Sequence, residues 1–336
     1  MRTFFLLLII FLIHLPPSLG QDVNSPTRLE TLAFGSCNRT DLDPKIWASI
    51  VKKNPELWVW LGDIVYTDDQ SMEDLAKKYA IQKKQTDYQQ LASTATILGV
   101  WDDHDFGDND GGSSFSKKIE SRKLLFEFLE IPADHPAQKR TGAYQSYCYG
   151  RDDEKLCIYL LDVRYFKEDY DPDPSSNQRY KKNNGTLLGE AQWNWLEKEL
   201  EQNNAQVNIF AGGIQLISSE HPYEKWANFP MAQARFFDLL TQYQVKNPLY
   251  LSGDRHIAEV SSVSLDSGVC LYDITSSGLT HSYDSLEEEA NVYRISSLMT
   301  MLNFGLLSLN WEQRKLQIEI LNVEGKTRYS QNILIQ

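Results

Sequence analysis

Beyond its first twenty residues, this 336-residue chain has no apolar run long enough to cross a bilayer. It has no internal repeat, no low-complexity tract and no clear linker, which argues for one large domain rather than an array. Positive charge is also short: 33 Lys and Arg stand against 46 Asp and Glu, a formal charge of −13. That balance disfavours non-specific binding to a nucleic-acid scaffold and makes cations the natural partners. Cysteine and histidine are scarce, at four and six, so where each falls carries weight. Aromatics are plentiful, with 8 Trp, 17 Tyr and 14 Phe to fill a substantial core.

The exception at the start is Met1-Arg-Thr, an apolar stretch from Phe4 to Leu15, and Pro-Pro-Ser-Leu-Gly20. This reads as a secretory signal peptide over 1–20, leaving 21–336 as the folded domain. A membrane anchor is the alternative, but the run is short and His14 interrupts it. Loss of Arg2 with the leader takes the formal charge from −13 to −14. The expected location is outside the cell or in an endomembrane lumen, with no integral membrane segment left. Asn184-Gly-Thr186 is an N-glycosylation acceptor in a polar loop. Asn38-Arg-Thr40 also matches but is expected to be too enclosed.

Cys148 and Cys157 lie on two apolar runs separated by Gly150-Arg-Asp-Asp-Glu154, which reads as a hairpin turn. A disulfide across that hairpin is geometrically easy. Strand candidates are Leu29–Phe34, Leu57–Leu61, Thr96–Val100, Ala143–Tyr149, Leu156–Leu161, Gln206–Ala211, Pro248–Leu251, Ala258–Val263, Val269–Ile274, Phe304–Trp311, Lys315–Leu321 and Thr327–Leu334. Helix candidates are Pro44–Lys53, Ser71–Leu91, Ser114–Leu129, Gly189–Gln202 and Met231–Tyr243. Helices separate the strands until the last quarter, which is nearly all strand. The pattern predicts an α/β fold with a mixed sheet or two facing sheets and helices outside.

Four strand ends carry ligand-type residues. Ala33-Phe-Gly-Ser-Cys37 ends in a cysteine that is either buried packing or disulfide, or a thiolate ligand or nucleophile. Trp58-Val-Trp-Leu-Gly-Asp63 ends in a carboxylate able to bridge two cations, with the Tyr66 phenol one helical turn on. Thr96–Val100 runs into Trp101-Asp-Asp-His-Asp-Phe-Gly-Asp-Asn-Asp110, five aspartates and a histidine within 102–110. Like charges so close are costly to bury unless cations compensate. Asp105-Phe-Gly107 spells the kinase metal-binding triplet, but no glycine-rich loop accompanies it, and the run fails EF-hand spacing. Leu249-Tyr-Leu-Ser-Gly-Asp254-Arg-His256 offers a carboxylate and an imidazole at i, i+2, which extended backbone would point the same way. Thiolate, phenolate, imidazoles and carboxylates together suit a two-cation site for in-line phosphoryl transfer.

The set Phe34-Gly-Ser-Cys37, Gly62-Asp-Ile-Val-Tyr66, Trp101-Asp-Asp-His104, Leu161-Asp-Val-Arg164 and Ser252-Gly-Asp-Arg-His256 resembles the alkaline phosphatase D (PhoD-like) metallophosphatases, in the family's order. The resemblance implies a four-layer α/β/β/α sandwich of two facing mixed sheets. It implies hydrolysis of small phosphomonoesters or phosphodiesters by a metal-activated hydroxide, with ferric iron and calcium as the expected metals and zinc or another divalent metal as the alternative. By motif, Cys37, Asp63, Tyr66 and His256 would hold iron, and Asp63 would bridge to a second metal bound by Asp103 and Asp254, with Asn109 as a further candidate. His104 would orient phosphate and protonate the leaving oxygen, and Arg164 would clamp phosphate. Beside the resemblance, no counterpart of the long N-terminal β-domain of bacterial members is expected in these 336 residues. Phe115, Tyr165, Phe166, Tyr170, Tyr180 and Trp226 are candidates for an aromatic leaving-group wall, with core or loop packing the simpler reading for most of them. A secreted calcium-dependent binding protein derived from such an enzyme is the rival reading; the joint presence of Cys37, Tyr66, His104 and His256 argues against it.

Overall fold

The computed structural model describes residues 23–25, 27–67 and 70–336, so the leader reading of 1–20 lies outside the described residues. The described residues form thirteen strands and seven α-helices. The strands are β1 Val23–Ser25, β2 Thr31–Gly35, β3 Leu57–Leu61, β4 Thr96–Val100, β5 Gln145–Tyr149, β6 Leu156–Leu160, β7 Val207–Gly212, β8 Pro248–Ser252, β9 Ala258–Ser264, β10 Cys270–Ser276, β11 Asn303–Asn310, β12 Lys315–Asn322 and β13 Thr327–Leu334. The helices are α1 Ile46–Lys52, α2 Met72–Lys84, α3 Thr86–Thr94, α4 Asp103–Phe106, α5 Lys118–Phe128, α6 Gly189–Glu201 and α7 Pro230–Gln242.

The strands form two mixed sheets, one in the order β1-β5-β6-β7-β8-β10-β9 and one in the order β13-β12-β11-β2-β3-β4. Alternation along each strand explains why the sheets face one another. On β3, Leu57, Val59 and Leu61 point inward to the shared core, while Trp58 and Trp60 point outward. On β6, Ile158 and Leu160 face the core, and Cys157 and Tyr159 face the other way. Strands buried on both faces read as continuous apolar runs. The outer face of the six-stranded sheet packs on α1, α2, α3 and α5, where Trp47 meets Trp58 and Trp60 edge-on at 5.1 Å. The outer face of the seven-stranded sheet packs on α6 and α7. The result is the four-layer α/β/β/α sandwich.

The Cys148–Cys157 disulfide joins directly opposed residues of β5 and β6. One helix expectation needs correcting: Ser71–Leu91 is two helices. Gln85 adopts extended backbone (φ −61°, ψ 121°), and its side chain accepts the N–H of Asp87 to start α3. No described helix is long and apolar enough to cross a membrane.

Candidate metal centre

The ligand-type residues lie just past β2, β3, β4 and β8, where loops take over from ladder bonding. Cys37, Asp63, Asp254 and His256 all hold left-handed backbone, with φ of 60°, 49°, 65° and 54°. Each such non-glycine position costs about 1–3 kcal/mol, and such strain gathers where function requires a fixed geometry. The extended i, i+2 expectation for Asp254 and His256 is therefore wrong. The chain coils there, and the two side chains enter different clusters.

The first cluster is Cys37, Asp63 and His256, whose ligand atoms lie within 4.8 Å of one another. The Cys37 Sγ is 3.3 Å from Asp63 Oδ2 and 3.0 Å from the Ser277 hydroxyl. Ser277 Oγ accepts the His256 N–H, so its own proton is free for the sulfur. The Tyr66 hydroxyl donates to Asp63 Oδ2 at 3.0 Å and lies 3.1 Å from His256 Nε2. The second cluster joins Asp63, Asp103 and His104, and the third joins Asp102, Asp103, Glu224 and Asp254. Asp63 and Asp103 thus link one region to the next. Burial, then neighbouring carboxylates, push Asp63 and Asp254 well above the usual carboxylate range. Burial and Asp63 do the same to the Cys37 thiol and the Tyr66 phenol. Burial pushes His256 down to about 3.

This donor set fits a pair of cations. Thiol, phenol and imidazole gather at one end, and hard carboxylates at the other. The first group is stitched by protons that a cation would displace. Asp102 Oδ2 is buried without a hydrogen-bond partner.

Not every aspartate in the run is a ligand. Asp105 accepts the N–H groups of Asp63, Ile64 and Asp102, so it pins the β3 turn to the start of α4. Asp103 is oriented by the N–H groups of His104 and Asp110. The half-buried His104 ring lies 4.0 Å from Tyr66. Asn109 is exposed in the turn that follows.

Arg164 differs from its expected part as a free phosphate fork. It is fully buried, and its guanidinium is committed to Asp102 and to both oxygens of Glu224. It offsets part of the cluster's charge and holds Asp102 and Glu224 in place. Asp162, of the same motif, accepts the Trp101 indole N–H and the Ala143 and Tyr165 amides, tying the two sheets together. Of the aromatic candidates, Phe115 and Trp226 are core residues and Tyr170 stacks on Tyr180, in keeping with the packing reading. Glu224, Ser277 and His281 were not found from the sequence. They sit in loops without a Gly-Asp ending, and only the fold carries them to the site.

The PhoD-like phosphatase family model matches residues 32–303. The chain belongs to this family. This PhoD-like chain is similar to alkaline phosphatase D of Bacillus subtilis (strain 168), 21% identical over 278 residues, which cover 70% of the chain and 47% of that relative. It spans about half the length of that curated relative. Its fold is similar to the solved structure of PhoD, with a TM-score of 0.70 at 16% identity, covering 94% of this chain and 70% of the other. A dimetal phosphatase from Danio rerio gives 0.56 at 12% identity, over 92% of this chain and all of that one. The anchor in the inner membrane complex of Plasmodium gives 0.60 at 13%, over 92% and 90%.

Proposed function

We propose that the chain is a secreted, metal-dependent phosphoesterase acting on small phosphomonoesters or phosphodiesters. The observation that carries this reading is the convergence of Cys37, Asp63, Tyr66 and His256 beside the Asp102–Asp103–Glu224–Asp254 cluster. The first four would hold ferric iron, which a phenolate favours. Asp63, Asp103 and Asp254 would hold calcium, with Glu224 and the exposed Asn109 as further candidates. When bound, the cations would neutralise the non-bridging phosphate oxygens and acidify water.

The protein's own groups do the rest. His104, half-exposed beside the Tyr66 ring, would pass a proton to the departing alcohol oxygen. Cys37, its sulfur 3.0 Å from the Ser277 hydroxyl, would serve as a ligand rather than a nucleophile. Arg164 keeps Asp102 and Glu224 from repelling each other. Secretion rests on the 1–20 leader pattern, the Cys148–Cys157 disulfide and the exposed Asn184 acceptor.

The test is turnover of nitrophenyl phosphate and of its diester by purified protein, before and after chelation, with metal analysis. Loss on chelation and recovery on iron and calcium are expected. A fully metal-loaded protein that hydrolyses neither ester would refute catalysis and favour a binding role.

A further inference from the structure

Beside the metal-ligand candidate His256 stands a row of rings outside the three apolar clusters. Tyr66, Tyr223, Tyr283 and His281 belong to none of the three apolar clusters. His281 lies 4.3 Å from the His256 ring and 5.1 Å from Tyr66. Tyr283, 37% exposed, lies 4.8 Å from His256, and its N–H donates to the His256 carbonyl at 2.9 Å. Tyr223 continues the row, 6.2 Å from Tyr283 and inclined to it by only 26°. Beneath Tyr223 the guanidinium of Arg255 lies 4.3 Å from the ring, and Arg255 is itself buried and paired with both oxygens of Glu289. The row therefore starts at a metal-ligand candidate and leads away from it to Tyr223, whose ring also has the Arg179 guanidinium 5.7 Å away. Rings held in place before a ligand arrives bind at low entropic cost.

We propose that His281, Tyr283 and Tyr223 form the leaving-group subsite, and that it takes phosphate esters whose alcohol carries a planar aromatic ring. This rests on the phosphoesterase reading and adds the substrate class to it. Ring stacking is tolerant of which ring is present, so two sources share the chemistry: aryl alcohols and nucleosides. An aryl ring bonded to the ester oxygen would meet Tyr283. A nucleobase, carried farther out by its sugar, would meet Tyr223.

The experiment compares kcat/KM for phenyl phosphate, adenosine 5′-monophosphate and glycerol 3-phosphate in wild type, Tyr283→Leu and Tyr223→Leu. Leucine keeps bulk and removes the π face. Stacking contacts of this kind predict that the aromatic-to-glycerol ratio falls by about tenfold. A fall for phenyl phosphate in Tyr283→Leu assigns the aryl source, and a fall for the nucleotide in Tyr223→Leu assigns the nucleoside source. Ratios unchanged for both, or equal losses on all three esters, overturn the subsite. Should wild type turn over none of them, the phosphoesterase reading falls separately, and calorimetric binding of phenylphosphonate against methylphosphonate decides the subsite. A phenyl preference lost in the leucine variants supports it; equal affinities in wild type overturn it.

Discussion

Adding a single methyl group at Gly213 tests how tightly the two sheets are closed around the carboxylate cluster. A Cβ there would lie 2.2 Å from both Cγ and Oδ1 of Asp102 and 2.7 Å from Oδ2. Carbon atoms in packed interiors approach to about 3.5–4.0 Å, so the carboxylate has to move by more than about 1 Å. It has nowhere to go. Asp102 Cβ is packed so closely on Gly62 that a Cβ added there would come within 2.3 Å of it, and the Asp102 carboxylate is bound to Arg164. Overpacking costs about 1–3 kcal/mol, and this pinned position belongs at the upper end. Gly213 is not in the left-handed region, so alanine returns up to about 1 kcal/mol through the unfolded chain. Gly213→Ala should thus destabilise the chelated protein by about 2 kcal/mol. In an Asp102→Ala background the three clashing atoms are gone, and the same change should be neutral or slightly stabilising. Urea midpoints of the four proteins close the cycle, with a coupling energy of about 2–3 kcal/mol. An equal loss in both backgrounds would refute the steric reasoning. Turnover of the single variant should fall by about 10², as expected for a displacement of this size.

His104→Ala should keep its metals but lose about 10²–10⁴ in turnover, less for nitrophenol than for an alkyl alcohol; an equal loss for all leaving groups would remove the acid role. Phenolate-to-iron charge transfer should colour the purified protein, and Tyr66→Phe, which deletes only the oxygen beside Asp63 and His256, should bleach it. Unchanged colour in an absorbance scan would pass the chromophore to the Cys37 thiolate. Replacing Cys148 and Cys157 by serine opens a loop of nine-residue separation and should cost no more than about 2–3 kcal/mol in thermal or urea unfolding.

The strands were legible because most are buried on both faces and bounded by glycine or polar turns. β1 escaped notice because three residues paired to β5 leave no periodic signal. The break at Gln85 was hidden because the apolar spacing of Leu75, Tyr79, Tyr88 and Leu91 continues across it. Strand-end ligands were legible because Gly-Asp and Gly-Ser-Cys mark where a chain leaves a sheet. Their individual tasks were not. Asp105 and Asp103 look alike in sequence and both accept backbone amides, yet Asp103 also joins the carboxylate clusters and Asp105 does not. Arg164 looked like a free fork because its partner Glu224 lies 60 positions away and reaches it only through the fold.

The position of β2 also sets a timetable for synthesis. It lies inside its sheet with β3 on one side and β11 on the other, and Leu32 pairs with Leu307. At 5–20 residues per second, that partner emerges roughly a quarter-minute to a minute later. Ser277, which holds the Cys37 sulfur, is almost as late. Throughout that interval Cys37 is a thiol without its finished pocket, in a compartment that the secretory reading makes oxidising. Cys148 and Cys157 are the two nearest wrong partners. Because they face each other across one hairpin, they can close on each other locally as soon as both have emerged. Were the chain secreted as proposed, the hairpin disulfide would serve the candidate metal centre at a distance, by taking its own thiols out of circulation early.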